Sequence, residues 1–272
     1  MSTEKTDGMS GKTAPRPLSK EEFLAEEAGA AERPLPAGCS LHIMTDFAAK
    51  QTTRPLYEQS FGDPEDFTDY YYSDKCRDNT IVAITDASGA VLSMAHLNPY
   101  TLSVCGHETR SYYIVAVATD VRFRHRGLMT AVLHAAFRIA ASEHIPFIWL
   151  LPVDPAIYTP SGFEVICDFH AADHESSCLS HGLPEAALNK MNGALKENYD
   201  IFCVRDKTYL RRERIEATLD SGEEDSGLPE NPKIMAKVTD GAVLRSMLPG
   251  KLREESPYDA LRSLRCLFTE EV

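Results

Sequence analysis

The run Tyr112-Tyr113-Ile114-Val115-Ala116-Val117-Ala118-Thr119 leads directly into Asp120-Val121-Arg122-Phe123-Arg124-His125-Arg126-Gly127-Leu128-Met129. The first stretch is apolar and reads as a β-strand. Residues 127–142 carry Leu128, Val132, Leu133, Ala136 and Ile139 at helical spacing and read as an amphipathic helix. A helix entered this way leaves the N–H groups of Gly127, Leu128 and Met129 without intrahelical partners, at the positive end of the helix dipole. Such an end suits a phosphate or pyrophosphate. Gly127 lets a ligand approach the backbone, while Arg124 and Arg126, with His125 between them, add positive charge.

The pattern strand, then Arg124-x-x-Gly127-x-Met129, resembles the acetyl-CoA signature of the GCN5-related N-acetyltransferase (GNAT) superfamily, Arg/Gln-x-x-Gly-x-Gly/Ala. Met129 departs from it, standing where the signature has a small residue. Downstream, Asp154-Pro155-Ala156-Ile157-Tyr158-Thr159-Pro160-Ser161-Gly162-Phe163 is similar to a segment of that superfamily's enhanced-intracellular-survival (Eis-type) branch. The resemblance spans residues 40–170. It implies an α/β GNAT fold, a mixed central sheet flanked by helices, here with a small α/β C-terminal extension. It further implies that the strands at 112–119 and 147–151 run parallel and splay apart, admitting the pantetheine arm of acetyl-CoA as an added strand. Backbone groups of Val115, Val117 and Ala118 would then pair with pantetheine, and Arg124, His125, Arg126, Gly127, Leu128 and Met129 would hold the pyrophosphate.

The activity implied is direct transfer of an acetyl group, in a ternary complex, from acetyl-CoA to a primary amine. Small polyamines, aminoglycoside-like compounds and protein lysines are all open as acceptors. By the same resemblance Tyr158 is the general acid that protonates the departing thiolate. In the Eis-type branch the terminal carboxylate reaches the active site, which here means Val272; Glu108, Asp154 and a water chain are alternatives, and the base stays unassigned. The competing class is a non-catalytic acyl-CoA-binding regulatory protein, motivated by Met129 and by too few C-terminal residues for a sterol-carrier-like domain.

Composition narrows the setting. No apolar run approaches the ~20 residues of a spanning helix, and the polar N-terminal stretch lacks a secretory core, so a soluble cytoplasmic protein is expected. Seven scattered cysteines without a Cys-x-x-Cys pair argue against a disulfide framework. A formal charge of −13 disfavours nucleic-acid partners and favours a cationic amine. Homo-oligomerisation is left open.

Along the chain, residues 1–37 are polar and expected to be disordered, except for a short helix near 19–31 that starts with the capping-box spacing of Ser19 and Glu22. Residues 38–170 read as the GNAT domain. Within it, helices are expected at 47–61 and 65–73, a hairpin from 79–85 and 90–97, and a buried strand at 146–151. The consecutive Tyr70, Tyr71 and Tyr72 read as packing residues. A partial second GNAT-like region is expected over 171–219, an acidic linker over 220–232 and a short C-terminal segment over 233–272. Cys167, His170, His174, Cys178 and His181 are metal-ligand types, but they match no established zinc spacing, so no metal is expected.

Overall fold

The computed structural model describes residues 35–170, 184–219 and 229–270. The N-terminal segment with its expected helix, most of the expected linker, His174, Cys178, His181 and Val272 lie outside these residues.

Among the described residues the first element is β1 (Ser40–Met44), followed by α1 (Phe47–Gln51), α2 (Arg54–Ser60) and α3 (Glu65–Ser73). The single helix expected over 47–61 is two. Pro55 sits in the first turn of α2, where its missing N–H costs nothing, but continued from α1 it would have removed an interior hydrogen bond. The chain bends at Thr52 and Thr53, and the Thr53 hydroxyl donates to the Lys50 carbonyl at 2.7 Å. Helix α3 has the expected bounds, and Tyr71 and Tyr72 are fully buried.

Strands β2 (Thr80–Thr85) and β3 (Val91–Val104) form the expected hairpin. The Asp86 carboxylate closes its turn by accepting from the N–H groups of Ser88 and Ala90. Strand β3 runs seven residues past the expected end at Leu97, because β4 (His107–Thr119) pairs with it back to Val104. Cys105 (φ 48) and Gly106 (φ 82) join the two strands. Two consecutive positive φ angles give the primed turn whose twist matches a two-residue hairpin, and glycine at the second position relieves half of its cost.

Helix α4 (Leu128–Ser142) follows, then β5 (Phe147–Leu150), α5 (Pro155–Tyr158) and β6 (Glu164–Asp168). Leu128, Val132, Leu133 and Ala136 are buried, and Ile139, the fifth residue of the expected face, is partly buried against the core. All four residues of β5 are buried, consistent with a strand covered on both faces.

After β6 come α6 (Glu185–Asn198), β7 (Ile201–Cys203), α7 (Lys207–Leu219), β8 (Lys233–Val238), α8 (Gly241–Met247), α9 (Pro257–Arg262) and β9 (Cys266–Leu267). These strands join the same sheet, whose order is β1-β2-β3-β4-β5-β8-β6. Strand β8, from the segment expected to be a C-terminal appendage, pairs antiparallel with both β5 and β6. Strand β7 pairs with Leu102–Val104 of β3, beyond the point where β2 ends, and β9 pairs parallel with β7. Helix α7 is tied to α3 and the residues after it by Arg211 and Arg212, which clasp Asp74, and by Glu216, which accepts from Tyr70. Among the described residues no helix is long and apolar enough to cross a membrane.

Candidate active site

The site is built around one irregularity in β4. Met94 of β3 faces Ala118, but His96 faces Val115, so the single residue Ala95 spans both Ala116 and Val117. That extra residue is a β-bulge, and Ala116 takes a left-handed φ of 50° to make it. A bulge bends the strand and increases its twist. On its other side β4 pairs in parallel with β5 at Tyr113 and Trp149 only. From Ile114 to Thr119 β4 has no strand partner on that side among the described residues. The two strands therefore part at the bulge, leaving main-chain groups of the 114–119 stretch available to an extended ligand. Val115 and Ala118 are nearly buried there, while Ala116 and Val117 are partly exposed.

Beyond Thr119 the chain turns through a loop held by its own side chains. The Asp120 carboxylate accepts from the Arg122 N–H at 2.9 Å and pairs with the Arg122 guanidinium at 2.7 Å. Those hydrogen bonds hold its pKa below the usual carboxylate value. Arg124 donates from Nε to the Thr119 carbonyl at 3.2 Å, and Arg126 donates to the Arg122 carbonyl at 3.2 Å while lying over the Phe123 ring. Both arginines and His125 (φ 60) are exposed. Gly127 occupies the N-cap position of α4 without a side chain to close the first turn, at φ 81 and ψ 6, a conformation that strains any residue with a Cβ. Its carbonyl accepts the first helical hydrogen bond, from Ala131. The N–H groups of Gly127, Leu128 and Met129 have no partner among the described residues. The Leu128 side chain is buried, and that of Met129 packs against the core.

Tyr158 ends α5, whose first residue lies four residues past Leu151, the position after β5. Asp154 caps that helix by accepting from the Ala156 N–H at 2.8 Å. The Tyr158 ring is half-buried, edge-on to Phe163 at 5.9 Å, and its hydroxyl has no hydrogen-bond partner among the described residues. Burial pushes its pKa up to about 12. Of the candidate bases, Asp154 is engaged as a cap, and Glu108 lies at the far end of β4, roughly 25 Å from the bulge by the usual rise per residue.

A second group of residues escaped sequence reasoning. Asn98, Tyr113 and Trp149 are directly opposed across β3, β4 and β5, so their side chains share one face of the sheet, with His96 and Tyr100 beside them. Trp149 stacks on Tyr113 with ring centroids 4.1 Å apart and an interplanar angle of 12°. Phe268 packs on Trp149 from the other direction at 4.5 Å. Two residues later Glu270 is buried and accepts from Arg205 at 2.9 Å and from Tyr209 at 2.6 Å. On the same face His96 is fully buried, bonded through Nδ1 to the Tyr71 hydroxyl at 3.0 Å, and burial drives its pKa down to about 3. The residues nearest the C-terminus and α7 thus close the face that borders the strand split. Nothing local in the sequence marks Phe268 or Glu270, because their partners lie far away in the chain. Among the described residues no group of three or more His, Cys, Asp or Glu is placed to hold a metal.

Residues 48–166, fewer than half of the chain, match the family model described as an acetyltransferase (GNAT) domain. No curated protein matches the sequence. Among solved structures, a conserved protein from Enterococcus faecalis V583 described as a probable N-acyltransferase is 11% identical. The match covers 78% of this chain and 75% of that one, with a TM-score of 0.56. A GCN5-related N-acetyltransferase from Kribbella flavida is 15% identical (77% and 74% covered, TM-score 0.49), and Eis1 from Mycobacterium abscessus is 12% identical (67% and 49% covered, TM-score 0.47). At these identities the first likeness speaks to the fold alone, and the two looser superpositions add nothing to it. Chain and match agree: this protein has the GNAT fold, and its residues 48–166 are matched by an acetyltransferase (GNAT) domain.

Proposed function

We propose that the chain is an acyl-CoA-dependent N-acetyltransferase that uses acetyl-CoA to acetylate a cationic primary amine. One observation supports this most: the bulge at Ala116, the split between β4 and β5, and the uncapped first turn of α4 follow one another along a single stretch of chain. In this reading pantetheine lies in the split against the main chain of Val115, Val117 and Ala118. The pyrophosphate meets the N–H groups of Gly127, Leu128 and Met129, flanked by Arg124, His125 and Arg126. An N–H at the bulge that points at the thioester oxygen would stabilise the tetrahedral intermediate, and one such donor contributes about 2.7–4 kcal/mol.

The amine nitrogen attacks the thioester carbon, the carbon–sulfur bond breaks, and the Tyr158 hydroxyl gives its proton to the leaving sulfur. A pKa of about 12 keeps that hydroxyl protonated at neutral pH. The proton lost by the amine passes to solvent. The net charge of −13 favours cationic acceptors, whether polyamine, aminoglycoside-like compound or protein lysine.

The test measures thermal stability with acetyl-CoA and CoA release against a panel of amines. A shift of melting temperature together with amine-dependent CoA release is expected. A shift without turnover on any amine would leave a binding protein and end the enzymatic reading.

A further inference from the structure

Strand β6 and the segment leading into β9 lie side by side and are pinned together at both ends. Arg262 donates from Nε to the Val165 carbonyl at 3.1 Å and pairs with the Glu164 carboxylate. Further along, the His170 N–H donates to the Phe268 carbonyl at 3.3 Å. Cys167 and Cys266 sit between these two fixed points, on segments that run side by side. Cys105 is a more distant third thiol, anchored by its N–H to the Asp200 carbonyl at 2.6 Å. The two partners differ in access: Cys167 is half-buried, whereas Cys266 is only 7% exposed.

We propose that Cys167 and Cys266 form a modification site, a dithiol that a small disulfide such as oxidised glutathione converts reversibly into an intramolecular disulfide. The more accessible Cys167 reacts first. Its thiolate attacks one sulfur of the small disulfide, a mixed disulfide forms, and one glutathione leaves as a thiol after taking up a proton. Cys266 then loses its proton and attacks the Cys167 sulfur, releasing the second glutathione. Two protein thiols are oxidised and one small disulfide is reduced to two thiols. In the reduced chain the neighbouring Cys167 and then burial hold the Cys266 thiol protonated; burial persists once Cys167 is capped, so the second step is the slow one.

The bond would fasten β9 to β6. Phe268, two residues beyond Cys266, would then be held on Trp149, on the face beside the strand split. This inference does not depend on the acetyltransferase reading.

The full chain, reduced and then treated with oxidised glutathione, is analysed by intact mass, by peptide mapping without reductant and by thermal melting. The expected product has lost two hydrogens, yields one cross-linked peptide pair containing Cys167 and Cys266, melts higher than the reduced chain, and reverts with dithiothreitol. C266S is expected to stop at a glutathione adduct on Cys167, and C105S to form the bond as the parent does. Two native thiols that both remain open to alkylation after treatment would overturn the proposal. So would a cross-link from either one to Cys105 or Cys178, or a bond that appears only in denaturant.

Discussion

The junction of residues 112–129 and the face closed by Phe268 and Glu270 border the same pair of strands, yet they are made in opposite ways. In the junction the groups proposed to meet the ligand are main-chain amides offered by one continuous stretch, shaped by a bulge at Ala116 and by the positive φ of Gly127. On the closed face they are side chains: Tyr100 of β3, Tyr113 of β4 and Phe268 pack on Trp149 of β5, and Tyr209 of α7 packs on Tyr100. The difference has a mechanical side. Main-chain groups in a strand and a first helical turn are held by secondary structure and are available without rearrangement, whereas the closed face owes its shape to long-range packing and one buried ion pair.

The largest effect is expected where the open side is blocked. Gly127→Asp places a side chain and a negative charge at the uncapped helix end, and forces a left-handed φ on a residue with a Cβ. It should abolish the acetyl-CoA melting shift, worth about 2.7 kcal/mol at a hundredfold excess over Kd. Unchanged affinity in a folded variant would remove the proposed pyrophosphate site.

Tyr158→Phe comes next. It is expected to leave acetyl-CoA binding nearly intact while lowering kcat by ~10²–10⁴. Full turnover in the folded variant would make Tyr158 a packing residue beside Phe163.

On the closed side, Arg205→Leu leaves the Glu270 carboxylate buried without its guanidinium. Loss of one partner from a buried pair costs about 3–5 kcal/mol. The comparison predicts that this loss appears in denaturant melts, while acetyl-CoA affinity per folded molecule stays the same. A variant that melts normally but no longer binds acetyl-CoA would show that the two regions are not separable.

The last effect is one of pH. Folded His96 stays neutral down to about pH 3, while the unfolded side chain takes a proton near its ordinary value of 6.5. The unfolded state then binds more protons across that window. Stability contributed by His96 is therefore complete above 6.5 and falls as pH drops toward 3, by up to about 1.4 kcal/mol per pH unit. His96→Gln is expected to flatten that part of the stability profile, and a parent and variant with parallel profiles from 6.5 to 3 would refute the assignment.

What could be read from the sequence follows the same division. The β4-to-α4 junction and α3 announce themselves because each has a complete local period and turn residues at its ends. The bulge carries no such mark, since an alanine at positive φ looks like any strand alanine until its cross-strand partners are known. The expected strand end at Leu97 is followed by Asn98 and Pro99, residue types disfavoured within strands. In the sheet Pro99 faces Tyr112, and the long pairing with β4 carries the strand through it. The interior break at Thr52–Thr53 was marked by Pro55, a signal outweighed by the apolar spacing around it. Placement of β8 between β5 and β6, and of Phe268 on Trp149, depends on contacts between distant residues, which periodicity does not reveal.

That placement of β8 bears on how the chain is made. Strand β5 ends at Leu150, but β8, its antiparallel neighbour, does not begin until Lys233. As the polypeptide leaves the ribosome, Phe147, Ile148, Trp149 and Leu150 emerge with one edge unpaired and wait for the rest of the intervening chain to be synthesised. An apolar strand edge left bare for that interval invites pairing with other nascent chains. The strand order thus leaves this edge without its β8 partner until residues 151–238 have been made.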